Sequence, residues 1–274
     1  VVAVPDLFWR FEPHIELGHG ETDLARALDL SARLDTAAAL RDIEATIATL
    51  RREPACKGSI GVVGHCLGGR LAVMTAASGS VDCAVSYYGV GIDKALDSLP
   101  PISVPTLLHF AGADRFVPAT AVRAIRERLD GGPSMEIYVY PDVDHAFANP
   151  GRPAYNKQAA DMAHTRTIAL LRRVMGPHYD LSALWEVHRA CEFITRDVDA
   201  TMQTMVDEPY VNHIPTLTGG YGHDYLKRFY KHHFIPKSPK DLRNIPISRT
   251  VGADRVVNEV LLCFTHDCEI DWML

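Results

Sequence analysis

Five residues, Gly64-His65-Cys66-Leu67-Gly68, join an apolar run (Ile60 to Val63) to a helical one (Arg70 to Ala77) and set a single thiol at the joint. A strand that turns sharply into a helix holds its tip residue in strained backbone. Glycines two positions to either side relieve the crowding that a Cβ would cause there. Cys66 at such a tip would stand at a helix N-terminus, where partial positive charge favours thiolate over thiol. The N–H of Leu67 would then point to where a tetrahedral oxyanion forms. The chemistry predicted is attack of sulfur on an acyl carbon. A glycine-rich turn around a buried structural thiol leaves the same letters, so the pattern needs partners.

Those partners come downstream and in order. Pro105 to Asp114 (PTLLHFAGAD) reads as an apolar strand ending in small residues and an acid, and Met135 to His145 (MEIYVYPDVDH) as an alternating strand ending in a histidine. Nucleophile, acid and histidine, each at the C-terminal end of its own strand, is the chain order of an α/β-hydrolase. His145 would hold the proton taken from Cys66, while Asp114 would fix the imidazole tautomer and stabilise its charged form. Each residue also has a plainer reading. Asp114 could cap a helix starting near Thr120. Asp142 and Asp144 compete for the acid role, but both lie too near His145 along one loop to orient it in the usual way.

The elements that must position these groups are legible as periodicities. Strands are predicted at Val1 to Val4 and near 59–63, 82–88, 105–110 and 135–140. They alternate with helical patterns over about 21–52, 68–78, 119–130 and 154–175. Alternating strands and helices imply a parallel sheet wrapped on both faces. Tyr87 and Tyr88, just past a strand end, fall where such sheets bind ligands, although tyrosine there is also ordinary packing.

With these pieces in place, Val1 to about Arg173 resembles the dienelactone hydrolase (carboxymethylenebutenolidase) family. The matching segments are VAVPDL at 2–7, DIEATI at 42–47, GVVGHCLGGR at 61–70, VSYYGVG at 85–91, GADRFVP at 112–118 and DHAFAN at 144–149. The resemblance implies a cysteine hydrolase that opens lactone esters of small carboxylated rings through an acyl-enzyme. Its triad would be Cys66, Asp114 and His145. Family members typically grip the substrate carboxylate with arginines, whose forks bond carboxylates in parallel. Here Asn149 stands near one such position with Arg152 the nearest guanidinium, and a second falls around Leu24 to Arg26. The resemblance also implies earlier elements that supply a second oxyanion amide and an acid touching the resting nucleophile. The expectation is therefore an N-terminally incomplete hydrolase domain, weak or inactive by itself.

The chain has 274 residues, a net charge of −6 and six dispersed cysteines. That length suggests two domains. The charge offers no basic field for nucleic acid and no polybasic stretch for a membrane. The cysteines show neither scaffold density nor zinc spacing, so the reading is cytoplasmic, with no cofactor and no metal. Gly176-Pro177 punctuates the chain, so the domains expected are 1–176 and 179–274. The second shows an amphipathic helix over 181–206, a helix over 223–233 and strands over 245–251 and 256–265. VNHIP at 211–215, TGG at 218–220 and VGADRVVNE at 251–259 resemble the turns and hairpin of the SnoaL-like, nuclear-transport-factor-2-like family. The implied fold is an α+β cone, C-terminally incomplete, with one sheet face uncovered and dimerisation expected through it. His213, His223, His232, His233 and His266 lack metal-site spacing and read as surface or hydrogen-bonded. Glu186, Glu192 and Asp197 read as a solvated helix face. Ester or lactone hydrolysis is the first functional reading. Thioesterase or acyltransferase chemistry would use the same triad, and an inactive scaffold for binding or assembly is the alternative from another class.

Overall fold

The computed structural model describes residues 1–18, 20–56, 58–132 and 134–273. Its contacts divide the chain into two compact units, Val1–His178 and Tyr179–Leu274; Leu274, where the second domain was expected to stop, lies outside the described residues.

The first unit is built on four parallel strands in sequential order: β1 (Gly61–His65), β2 (Cys83–Tyr87), β3 (Thr106–Ala111) and β4 (Met135–Tyr140). Every residue of β2 and β3 is buried, as a parallel sheet requires when helices cover both faces. On one face Val85, Leu107 and Ala111 pack with Ala159, Ala163 and Leu170 of the long helix Lys157–Met175. On the other, Leu108 and Phe110 meet Val73 of the helix Leu67–Ser78 and Val122 and Ile125 of the helix Ala119–Leu129.

The region 21–52, read as one helical stretch, forms two helices, α1 (Glu21–Arg33) and α2 (Thr36–Arg52). The break is chemical: the Asp35 carboxylate accepts the Ala38 N–H and starts the second helix afresh. In chain order the helices named above are then α3 (Leu67–Ser78), α4 (Ala119–Leu129) and α5 (Lys157–Met175). The strand expected at Val1 to Val4 does not form, and Val1, Val2 and Val4 are exposed. A strand exists only where its backbone groups find a ladder partner, and no described strand lies beyond β1.

In the second unit the predicted helix over 181–206 is two, α6 (Leu181–Phe193) and α7 (Val198–Gln203), because the Asp197 carboxylate accepts from Ala200 N and caps the second. The segment read as turns is a hairpin of β5 (Tyr210–His213) and β6 (Thr218–Tyr221). Gly219 makes it feasible, since a Cβ there would lie 2.1 Å from the Val211 carbonyl oxygen. The helix α8 (His223–Phe229) runs on through a π-helical segment, Tyr230–Phe234, and a last turn, Ile235–Lys237. A second antiparallel hairpin, β7 (Arg243–Val251) with β8 (Val256–Cys263), follows.

One sequence expectation fails in this unit. Glu192, read as part of a solvated face, is buried, with its carboxylate bonded to the Tyr230 hydroxyl at 2.8 Å. His213, read as surface or hydrogen-bonded, bonds Thr218 but also packs its ring against Phe234 and Trp272. Helical spacing alone could not tell a buried polar position from an exposed one. Among the described residues no group of three or more His, Cys, Asp or Glu converges as a metal site, and no helix is long and apolar enough to cross a membrane.

Candidate active site

Cys66 is the residue between β1 and α3, and its φ of 54° and ψ of −117° lie in a region that side chains other than glycine's rarely occupy. The surrounding ladder over-determines that geometry. Cys66 N–H donates to the Tyr87 carbonyl at 3.0 Å, and the Cys66 carbonyl accepts from Gly69, Arg70 and Val90. Gly64 is indispensable to the turn, since a Cβ there would sit 1.9 Å from the Gly68 carbonyl oxygen. The expectation for Gly68 is corrected: a Cβ on it would meet nothing within 4 Å. The second crowded glycine is instead Gly69, whose Cβ would fall 2.7 Å from Ser86 Oγ and 2.9 Å from Gly89 Cα. The requirement follows from where α3 crosses β2, which spacing around Cys66 does not reveal.

Leu67 opens α3, so its N–H is among the first-turn donors that have no carbonyl within the helix to bond. It stands next to the thiol, where an oxyanion would develop.

Asp114 lies just beyond β3 and is 5 % exposed. Its Oδ1 accepts from the N–H groups of Phe116 (2.7 Å) and Val117 (3.2 Å), and its Oδ2 meets His145 Nδ1 at 2.8 Å. The carboxylate thus organises its own loop and the histidine together, while α4 begins at Ala119, after Pro118, without a side-chain cap. Asp144 is used locally, accepting the backbone N–H of His145 at 2.6 Å.

His145 stands past the end of β4, in a loop where Asp142 (φ 58°) and Ala146 (φ 67°) hold left-handed backbone. Nδ1 is bonded to Asp114, which leaves Nε2 as the ring's other nitrogen, and Cys66 is near enough to influence the imidazole's charge. Burial alone would favour the neutral ring. The bonds to Asp114 and Cys66 outweigh it and push the His145 pKa up to about 9. Tyr88 and Phe116 hold the ring from two sides, with centroids 4.8 Å and 4.9 Å away. Phe116 had no signal of its own in the sequence: it reaches His145 only because the Asp114 turn folds it back.

Of the seven described non-glycine residues with positive φ, four are Cys66, Tyr88, Asp142 and Ala146. Backbone strain is therefore concentrated around one set of side chains, as it is at functional sites.

The other candidates separate. Tyr88 packs on His145 and on Phe147, and burial raises its hydroxyl pKa well above the ordinary tyrosine value. Tyr87 goes elsewhere: its hydroxyl bonds Thr167 at 2.7 Å, and Thr167 in turn meets His109 Nε2 at 3.1 Å. His109 bonds Tyr140, which accepts from Arg166. Burial, with Arg166 and His65 nearby, pushes the His109 pKa down to about 3, so this imidazole is neutral and structural. Asn149 uses its side-chain oxygen on Gly151 N–H at 2.9 Å. Arg152 is close enough to Tyr88 for its charge to favour the phenolate. In the stretch Leu24 to Arg26, the guanidinium of Arg26 is paired with Glu12 at 2.7 Å on the surface.

Residues 1–175 match the family model described as "Dienelactone hydrolase family". The chain is 38% identical over 168 residues to a carboxymethylenebutenolidase of Pseudomonas putida, a match covering 61% of this chain and 71% of that one. Carboxymethylenebutenolidase 1 of Cupriavidus pinatubonensis is 34% identical over 174 residues, covering 63% and 74%. Among solved structures, a protein described as a dienelactone hydrolase from Klebsiella pneumoniae superposes with a TM-score of 0.52 at 24% identity, over 62% of this chain and 73% of that one, which supports the α/β-hydrolase fold. A parallel sheet that raises a thiol, a carboxylate and an imidazole beyond the ends of β1, β3 and β4 agrees with what these matches establish: the chain belongs to the dienelactone hydrolase family and is a carboxylic ester hydrolase.

Proposed function

We propose that Cys66, His145 and Asp114 are the catalytic triad and that the substrates are small lactones or enol esters. The observation that carries this reading is the 2.8 Å bond from His145 Nδ1 to the buried Asp114 carboxylate, on an imidazole whose pKa Asp114 and the neighbouring Cys66 push up to about 9. An imidazole that basic takes the thiol proton and keeps it, leaving thiolate as the nucleophile. The thiolate attacks the acyl carbon, and the carbonyl oxygen becomes an oxyanion facing the Leu67 N–H. Collapse breaks the carbon–oxygen ester bond, and the departing oxygen takes the proton from His145. Water then gives a proton to His145 and its hydroxide to the thioester carbon; the carbon–sulfur bond breaks, the acid leaves and sheds its proton to solvent, and the Cys66 thiolate beside protonated His145 is restored. In a lactone the departing oxygen stays tethered to the acyl group, and the product is one ring-opened acid.

Substrate choice is supported by the carboxymethylenebutenolidase relatives and by Arg152, whose charge acts on Tyr88 beside the imidazole. Arg152 is the group we assign to a substrate carboxylate, Asn149 being occupied by its own turn. We also propose that the second unit is a SnoaL-like α+β domain, a reading supported by its order of α6 and α7, the β5–β6 hairpin, α8 and then the β7–β8 hairpin.

The test compares Cys66→Ala with the parent on a panel of lactones, enol esters and thioesters, alongside site-resolved iodoacetamide rates. Loss of at least about 10,000-fold in kcat is expected for Cys66→Ala. Cys66 should also react far faster than Cys56 or Cys83. Retained turnover would remove the nucleophile assignment, and equal thiol rates would favour the scaffold reading.

A further inference from the structure

Tyr88 carries backbone strain beside the triad without belonging to it. It follows β2 with a φ of 40°, in backbone that a bulky side chain rarely takes. Its N–H donates to the His109 carbonyl at 2.7 Å, which ties the strained position to β3. The ring packs at 4.8 Å on His145, 5.6 Å on Phe147 and 6.1 Å on Tyr87. The side chain is thus held from several directions, and the residue is only 2 % exposed.

The hydroxyl at the end of this ring is placed differently. Among the described residues it makes no hydrogen bond, whereas that of Tyr87 bonds Thr167. The buried side-chain atoms left without a partner are Arg70 Nε, Ser86 Oγ and Trp272 Nε1, and Tyr88 Oη is not one of them. An unpaired atom outside that set is open to solvent, so the little exposure that Tyr88 keeps includes its hydroxyl. The charges of Cys66 and Arg152 both act on that hydroxyl, yet no hydrogen bond joins it to the sulfur. It therefore faces the space beside the thiol without closing it. Burial keeps the phenol protonated well above the ordinary tyrosine range, so the group is a donor there.

An acyl group attacked by Cys66 develops negative charge on its oxygen, one bond from the carbon that the sulfur joins. Preorganised donors hold such charge, tyrosine among them, and each is worth about 100- to 1,000-fold in rate. The Leu67 N–H is one donor at this site.

We propose that the Tyr88 hydroxyl is a second donor to the oxyanion, which makes Tyr88 a catalytic residue. The role rests on the reading of Cys66 as nucleophile. As sulfur bonds the acyl carbon, the carbonyl π pair moves to oxygen, which accepts from Leu67 N–H and Tyr88 O–H. When the carbonyl reforms, the leaving oxygen departs with the His145 proton. Tyr88 keeps its own proton throughout.

Two reactions of one thiol separate this role from mere support of His145. Iodoacetamide is attacked at a saturated carbon, and no oxyanion forms. Trifluoroacetophenone is attacked at its carbonyl and becomes a hemithioketal oxyanion, a mimic of the transition state. Its affinity is read on the full chain as protection of Cys66 from alkylation, which needs no turnover. Tyr88→Phe should alkylate within about twofold of the parent rate at every pH, yet bind the ketone about 100-fold more weakly. Its kcat on esters should fall about 100-fold with little change in KM. Unchanged ketone affinity, an equal fall in the alkylation rate, or no saturable protection of the parent would each overturn the proposal. If Tyr88→Phe does not fold, Tyr88→3-fluorotyrosine decides: a more acidic donor of nearly the same shape should tighten ketone binding, and unchanged or weaker binding would overturn the role. Failure of the nucleophile reading shows separately, as ester turnover that survives Cys66→Ala.

Discussion

The two units use β-structure in opposite ways. In the first, β2 and β3 are buried along their whole length under helices on both faces. In the second, the β7–β8 hairpin turns Val260 and Leu262 toward a cavity of that unit, while Ile245, Val257 and Leu261 are 46 %, 59 % and 53 % exposed. The parallel sheet supports the strained Cys66 turn because it cannot give: its neighbours are packed to contact, and strain persists only where the surroundings over-determine it. The hairpin offers no such frame. What it makes instead is room, with polar groups held by helix-to-helix bonds rather than by strand ends. A site for bond breaking needs the first kind of support.

The sharpest way to break this contrast is at the acid. Asp114→Asn should leave the fold intact and lower kcat by roughly 1,000- to 10,000-fold. A loss of only a few-fold in ester turnover would show that Asp114 serves its loop and not His145. The rigidity argument is tested at the glycines. Gly64→Ala should destabilise the first unit by several kcal/mol, about 3 or more, because the clash at 1.9 Å is with backbone that cannot move aside. Gly68→Ala, with open space around its Cβ, should stay within about 1 kcal/mol of the parent in urea denaturation.

Packing gives the next effect. Leu107→Ala, at a fully buried strand position, should cost about 2–5 kcal/mol. A cost under about 1 kcal/mol would show the sheet to be looser than its burial implies.

The electrostatic prediction has a definite sign. The folded-state pKa of His145 is raised to about 9 from an ordinary 6.5. Its contribution is complete below pH 6.5 and is lost as pH rises through about 9. It amounts to roughly 3 kcal/mol. Stability of the parent should therefore fall between those limits by more than that of His145→Gln, and parallel curves would contradict the charged pairing.

The smallest effect belongs to the hairpin. Leu261→Lys should change unfolding free energy by no more than about 0.5 kcal/mol. It should also weaken self-association in sedimentation, if dimerisation runs through this face as the exposed apolar residues suggest.

Much of the first unit was legible because each signal was local. The pattern of β4 predicts Met135–Tyr140 as observed, and the other three strands of the sheet fall within two residues of their expected places. What escaped was whatever depended on a partner distant in sequence. Val1–Val4 has strand composition and pairs with no strand among the described residues. Asp35 and Asp197 ended helices that periodicity would have continued, through side-chain bonds that compete locally with the helix. Glu192 looked solvated because a helical wheel shows which face a residue occupies but not what covers that face.

The sequence by itself determined which side chains are candidates for the triad, their order along the chain and the alternation that makes a parallel sheet, since residue type and spacing are one-dimensional facts. Only the tertiary structure decided that Asp114 rather than Asp144 reaches His145, that Gly69 rather than Gly68 is the second crowded glycine, and that Tyr88 faces the imidazole while Tyr87 bonds Thr167. The physical reason is range. A hydrogen bond or a steric contact is settled within a few ångströms, and in a parallel sheet those few ångströms join residues that lie tens of positions apart in the chain.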